Sequence, residues 1–164
     1  MSLSANILII DDEESLREGC RQVLIGEGYR VKTAENGNSG LEMNNRESFD
    51  VILLDFKMPG ISGMEVLKTI NQSGAPHPLV IVITAYGTIE IAVEAMRQGA
   101  YNFLTKPFTP EELIRAVKDA VASRRRILKK VHVVPPLNLS SGPDAIIGRS
   151  SEILNIVRLA RQSC

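Results

Sequence analysis

Asp11, Asp12, Asp55, Thr84 and Lys106 are the residues best suited to act together chemically. Each stands at or just past the end of a short aliphatic or β-branched run. Ile7-Leu8-Ile9-Ile10 leads into Asp11-Asp12, residues 51–54 into Asp55, residues 79–83 into Thr84, and residues 102–105 into Lys106. Three carboxylates converging in one pocket repel one another, and without compensation at least one has its pKa raised. A hard divalent cation relieves that repulsion. Mg²⁺ usually takes one or two carboxylates, keeps several waters and leaves room for phosphate oxygens. Lys106 adds a positive charge, Thr84 a hydroxyl, and Ala85 a backbone N–H at the start of the next loop. This set of groups suits a phosphoryl group placed on a carboxylate. A carboxylate nucleophile is already anionic at pH 7, and phosphoryl transfer is catalysed largely by positioning and charge stabilisation. No base placed to activate water is evident. The expected product is an acyl phosphate made quickly and hydrolysed slowly, which describes a switch more than a turnover enzyme.

The elements that must position these groups are readable from periodicity. Strands are expected at about 6–10, near Val31 and Thr33, at 51–54, at 79–83 and at 102–105. Leu16, Cys20, Val23 and Leu24 recur at helical spacing, with Gly28 as a stop. Weaker helical signals cover about 38–47, and Met64, Leu67 and Ile70 mark a helix starting near Ser62. Ile89, Ala92, Val93 and Met96 line a fourth helix closed by Gly99. Thr109 is the expected N-cap of a fifth, opened by Pro110-Glu111-Glu112. Strands apolar on both faces, alternating with helices, imply a parallel, doubly wound α/β sheet with right-handed crossovers. Such sheets bind ligands outside the carboxyl ends of their strands, where the five residues stand.

Composition sets the outer limits. The chain has 164 residues, enough for one domain with an appendage. Lys and Arg number 19 and Asp and Glu 19, which argues against a generic polyanion binder. The even total hides an asymmetry: residues 1–108 carry 9 basic and 14 acidic side chains, and residues 109–164 carry 10 and 5. Two Cys and two His lack metal-ligand spacing, so zinc chemistry is not expected. Cys20 reads as a small core hydrophobe. The longest aliphatic run has five residues, far short of the roughly 18 a membrane helix needs. With no basic stretch ahead of the first apolar run, a cytoplasmic location is the expectation.

Four stretches resemble one known family. Residues 8–14, 53–60, 84–87 and 99–108, reading LIIDDEE, LLDFKMPG, TAYG and GAYNFLTKPF, are similar to the receiver domain of two-component response regulators. The resemblance covers roughly residues 5–122. It implies a flavodoxin-like sheet of order 2-1-3-4-5 with five helices. It also implies that Asp55 is the phosphoacceptor, that Asp12 binds Mg²⁺ directly and Asp11 through water, and that the Lys57 backbone carbonyl completes the protein ligands. Thr84, Ala85 and Lys106 would hold the phosphoryl oxygens. Phe103 falls at the family's switch aromatic, without the hydroxyl of the commoner tyrosine. Lys57 and Tyr86 match the positions that tune phosphoryl lifetime. The implied partner is a sensor histidine kinase.

The remainder reads as a connection to something else. Leu113, Val117, Ala120, Arg124, Ile127 and Val131 follow a 4-3-4-3-4 spacing, so the last helix is expected to outrun its domain. Its second half could pair with another chain as a short coiled coil. A homodimer is expected, mostly from the family resemblance and only partly from this seam, through the helix over 113–131 or through the face of the fourth helix, fifth strand and fifth helix. Arg124-Arg125-Arg126 and Lys129-Lys130 read as a solvated basic face. Pro135-Pro136 is expected to end the helix, and residues 123–145 to form the extended helix and linker. Residues 146–164 resemble the opening of the AAA+ domain of NtrC-type activators of sigma-54 RNA polymerase. They are expected to be the start of a truncated output domain. No G-x-x-x-x-G-K-[ST] loop is present in these residues, so ATPase action by that mechanism is not expected here. Nucleic acid would be met only through further C-terminal domains, and no membrane is implied.

Two rival readings come from other classes. A Mg²⁺-dependent aspartyl-phosphate phosphohydrolase would use the same nucleophile, but such enzymes usually carry a second acid two residues on, where this chain has Lys57. A constitutive interaction module with a vestigial pocket would have no need of all five groups.

Overall fold

The computed structural model describes residues 4–74, 76–85 and 87–140, with side chains through residue 129. Ten elements alternate: β1 Asn6–Ile10, α1 Glu14–Gly26, β2 Arg30–Ala34, α2 Gly37–Arg46, β3 Val51–Asp55, α3 Gly63–Gln72, β4 Leu79–Thr84, α4 Ile89–Arg97, β5 Asn102–Thr105 and α5 Pro110–Ser140. The five strands form one parallel sheet of order β2-β1-β3-β4-β5. The expected doubly wound α/β fold is the one observed. Tyr86 and residues 141–164, and with them the expected linker end and output start, lie outside the described residues.

Strand alternation explains why the aliphatic runs are apolar at every position. Ile7, Ile9, Val51, Leu53, Ile81 and Ile83 join Cys20 and Leu24 of α1 and Leu113, Val117 and Ala120 of α5 in one core. Leu8, Ile10, Ile52, Leu54, Val80 and Val82 join Val66, Leu67 and Ile70 of α3 and Ala95 of α4 in the other. Each fully buried aliphatic side chain contributes about 1.5–3 kcal/mol of transfer free energy, so the sheet is anchored from both sides.

Local sequence sets the helix ends. The Glu65, Ile91 and Glu112 N–H groups donate to the hydroxyls of Ser62, Thr88 and Thr109. At Thr109 the bond is reciprocal, because its own N–H donates to Glu112 Oε1 at 2.8 Å, a capping box. Gly28 and Gly99 follow α1 and α4 with φ of 95° and 103°, the left-handed conformation that stops a helix.

The expected fourth helix is present but only partly covered, and two other expectations need correction. Ile89 and Val93 share a face of α4, but they are 82% and 48% exposed, and only Ala95 of that helix is buried. Periodicity shows which residues share a face, not whether that face is covered. Arg124 does not belong to a solvated basic face or to an open seam. It is 7% exposed, its Nη1 stands 2.9 Å from Asp50 Oδ1, and its Nε donates to the His77 carbonyl. Beyond it, among the described side chains, Arg125, Arg126 and Ile127 are exposed and Leu128 is half-buried. Finally, α5 continues through Pro135 and Pro136 to Ser140. A proline inside a helix removes one hydrogen bond and crowds the preceding turn, yet its fixed φ is itself helical. The penalty disfavours the helix without forbidding it.

Candidate functional site

Strand register builds the site. Ile10 of β1 pairs with Leu54 of β3, so Asp11 and Asp55, one residue further on, end neighbouring strands at the same level. Both continue the parity of Ile7-Ile9 and Val51-Leu53 and so lie on the α1/α5 face. Asp55 pairs with Ile83, and Thr84 with Thr105. Thr84 therefore stands one step past Asp55 with the opposite parity, and Lys106 follows immediately after β5. A cis peptide bond joins Lys106 to Pro107.

Side chains close the arrangement. One carboxylate oxygen each from Asp11, Asp12 and Asp55 lies within 4.8 Å of the others. Asp11 and Asp55 are buried and Asp12 is exposed. Lys106 Nζ stands 3.3 Å from Asp11 Oδ2, 3.6 Å from Asp55 Oδ1 and 3.8 Å from Glu13 Oε1. Thr84 is fully buried at the end of β4, and Ala85 beyond it is exposed. Lys57 lies in the loop between β3 and α3, and Phe103 of β5 packs against the α3/α4 core on the same face of the sheet as Thr84. The structure thus gathers Asp11, Asp12, Asp55 and Lys106 at one rim, with Thr84 beside them.

The electrostatics match the crowding. Burial and the charge of Asp11 push the Asp55 carboxyl up to about 7, against the pull of Lys106 and the Lys57 backbone N–H. Burial raises Asp11 as well, partly offset by the Glu13 N–H and by Lys106. Burial alone would lower Lys106, but Asp11 and Asp55 outweigh it and its pKa is raised. The pocket holds more negative charge than its one ammonium neutralises. Three hard oxygen donors at this spacing fit Mg²⁺, whose charge would relieve that excess.

Residues 7–118 match the response regulator receiver domain. The chain belongs to that family. Over 159 residues, 96% of its length, the receiver chain is 35% identical to the transcriptional regulatory protein GlrR of Escherichia coli K12. Over 123 residues it is 39% identical to the C4-dicarboxylate transport transcriptional regulatory protein DctD of Pseudomonas aeruginosa. It spans 33% and 26% of those two proteins. A CheY-like receiver domain protein from Methanospirillum hungatei superposes with a TM-score of 0.71 at 29% identity, covering 76% of this chain and 98% of that one. Regulators of the NtrC type recur among the relatives, including NtrC of Salmonella typhimurium at 37% identity over 118 residues, 71% of this chain and 24% of that protein.

Two receiver residues escaped sequence reasoning. Glu13 turns toward Lys106, whereas from sequence it was one more acid in a run. Arg17 Nη1 donates to the Asp11 carbonyl at 2.8 Å. A signal for Arg17 existed: a cation in the first turn of a helix opposes the helix dipole and calls for a compensating partner. Cys20 is the small core residue that the sequence suggests. Cys20 is buried, and burial with the nearby Asp11 charge pushes its thiol up to about 11, so it is inert.

Proposed function

We propose that this receiver is a phosphorylation-activated signalling switch in which Asp55 accepts a phosphoryl group from a sensor histidine kinase in a Mg²⁺-dependent reaction. The observation that carries the reading is the buried Asp55 carboxylate, ending β3 between two further acids and 3.6 Å from Lys106 Nζ. An Asp55 oxygen attacks phosphorus, the phosphorus–nitrogen bond to the donor imidazole breaks, and that imidazole keeps the electron pair. Lys106 spans Asp11 and Asp55 and would compensate charge on the transferring group. The Thr84 hydroxyl and the Ala85 N–H would take the other phosphoryl oxygens. Mg²⁺, held by Asp12, by Asp11 through water, by Asp55 and by the Lys57 carbonyl, would supply neutralisation of the pocket and of the incoming phosphate. Lys57 and Tyr86 would set how readily water reaches the acyl phosphate.

The product adds about −1.5 to −2 charges at one point. Thr84 would swing toward the new oxygens, and Phe103, on the same face of the sheet, would move into the vacated space. The signal would leave through α4, β5 and α5. We assign residues 5–122 to the receiver, 123–145 to a connecting helix and linker, and 146–164 to the start of an AAA+-like output domain of the sigma-54 activator type, acting in the cytoplasm. Homodimers would form through the α4-β5-α5 face or the helix over 113–131. Among the described residues no helix is long and apolar enough to cross a membrane.

Acetyl phosphate with Mg²⁺ tests this. Wild type should gain one phosphoryl group by intact mass, and Asp55→Asn none. Equal labelling of the variant would defeat the assignment, and sustained turnover of a phosphate ester would identify a hydrolase instead.

A further inference from the structure

Asp11 is held at four points. Its N–H donates to the Ala34 carbonyl at 3.1 Å. Its Oδ1 accepts from the Glu13 N–H at 2.9 Å, and its Oδ2 lies 3.3 Å from Lys106 Nζ. Its carbonyl accepts from Arg17 Nη1 at 2.8 Å. The first three partners are main chain or pocket. The fourth comes from the Arg17 side chain, one turn into α1, and reaches the main chain of Asp11.

That fourth bond has leverage. The peptide linking Asp11 to Asp12 is planar, so the direction of the Asp11 carbonyl fixes where the Asp12 backbone starts. Asp12 is exposed and has little packing to aim it, yet its carboxyl reaches Asp55. Arg17 also stands where a cation is disfavoured, at the fourth residue of α1. The helix dipole disfavours that placement. No side-chain cap begins this helix at Glu13. The guanidinium thus serves the strand end ahead of the helix instead of favouring the helix itself.

We propose that Arg17 is a positioning residue for the acidic pocket: by holding the Asp11 carbonyl it fixes the Asp11–Asp12 peptide and aims Asp12 at the metal position beside Asp55. The inference rests on the Mg²⁺-dependent reading of the pocket. Arg17 acts on geometry, through one hydrogen bond to main chain. A lysine would present a compact ammonium instead of a planar fork and would hold the carbonyl less well.

The test is a Mg²⁺ titration of the whole chain, followed by backbone amide shifts of Asp12 and Asp55, for wild type, Arg17→Lys and Arg17→Met. Thermal unfolding of each in chelator runs alongside. Arg17→Met should bind Mg²⁺ about tenfold more weakly, the scale on which residues supporting metal ligands act. Arg17→Lys should fall between it and wild type. In chelator the midpoints should stay within a few degrees of wild type, because only about one hydrogen bond is lost. Unchanged Mg²⁺ affinity in Arg17→Met would overturn the inference and leave the reading of the pocket standing. Wild type that binds no Mg²⁺ at millimolar concentration would overturn both. Should Arg17→Met not fold, Arg17→Gln, which is polar but too short to reach the carbonyl, carries the same expected loss.

Discussion

Arg124 Nη1 and Asp50 Oδ1 stand 2.9 Å apart, although 74 positions separate them in the chain. The pair joins α5 to the residue just before β3, at the end of the sheet opposite the acidic pocket. Asp50 Oδ2 also accepts from the Asn6 N–H at 2.8 Å, and Arg124 Nε donates to the His77 carbonyl at 3.0 Å. One ion pair therefore ties the entrances of β1, β3 and β4 to the last helix. Arg124 is buried and Asp50 half-buried, so breaking the pair from one side strands a charge with little access to water. Arg124→Met is expected to cost about 2–4 kcal/mol in urea unfolding, with Asp50→Ala costing more because it also orphans Asn6. The double variant should lose less than the sum of the two. A cost under about 1 kcal/mol for Arg124→Met would show the pair to be ornamental.

The acidic pocket makes the metal-free protein sensitive to pH. Asp55 titrates near 7 when folded, against about 3.9 in an unfolded chain. Between those values the folded protein holds a proton that the unfolded chain has lost. Stability in chelator should therefore fall as pH rises from about 4 through 7, and level off above it. Asp55→Asn should remove this component and be the more stable protein at pH 8, by about 1–3 kcal/mol. Mg²⁺ should narrow that gap by stabilising wild type. Thermal melts of the two proteins at pH 5.5, 7 and 8 decide it, and a gap that does not grow with pH would contradict the expectation.

Close approach at Gly63 holds the loop after Asp55 in place. A Cβ there would fall on the Asp55 carbonyl oxygen and lie 2.7 Å from Phe56 Cα, both main-chain atoms that cannot turn aside. At Gly40 the obstacle is the flexible end of the Ile10 side chain. Gly63→Ala should thus destabilise by about 2–4 kcal/mol and weaken Mg²⁺ binding, with Gly40→Ala costing less. Comparable losses at the two positions in urea unfolding would mean that the loop, not the side chain, yields.

Association is testable on the exposed apolar residues. Ile89 and Val93 of α4 and Ile127 of α5 are 82%, 48% and 43% exposed. Lysine at any of them should shift stability by less than about 0.5 kcal/mol. If the homodimer uses α4, Val93→Lys lowers association in sedimentation with beryllofluoride and Mg²⁺, and if it uses the long helix, Ile127→Lys does. A dimer untouched by either would exclude both surfaces.

The fold and the core of the pocket were legible in sequence for one physical reason. Strands buried on both faces read as unbroken aliphatic runs, so the polar residue ending each run is conspicuous. Asp11, Asp12, Asp55, Thr84 and Lys106 were found that way. What escaped depended on direction or distance in space. Glu13 and Arg17 are ordinary charges until α1 turns them toward the strand end. Arg124 fits a helical stripe as well as any apolar residue, and its partner cannot be inferred from 74 positions away. The apolar residues of α4 share a face by period alone, which carries no information on whether another element covers it.

The pleat of the sheet has a last consequence. Asp11 and Asp55 share the parity of the α1/α5 core, whereas Thr84 has the parity of the α3/α4 core, against which Phe103 packs. The sheet thus works as a partition: on the proposed function, the reacting groups would stand on one side and the residues that relay the change on the other, with Thr84 at the rim of β4 between them. No individual contact enforces this division. It is a matter of counting: one residue inserted in β4 would turn Thr84 toward the carboxylates, leaving an intact pocket with its transmission facing the wrong room.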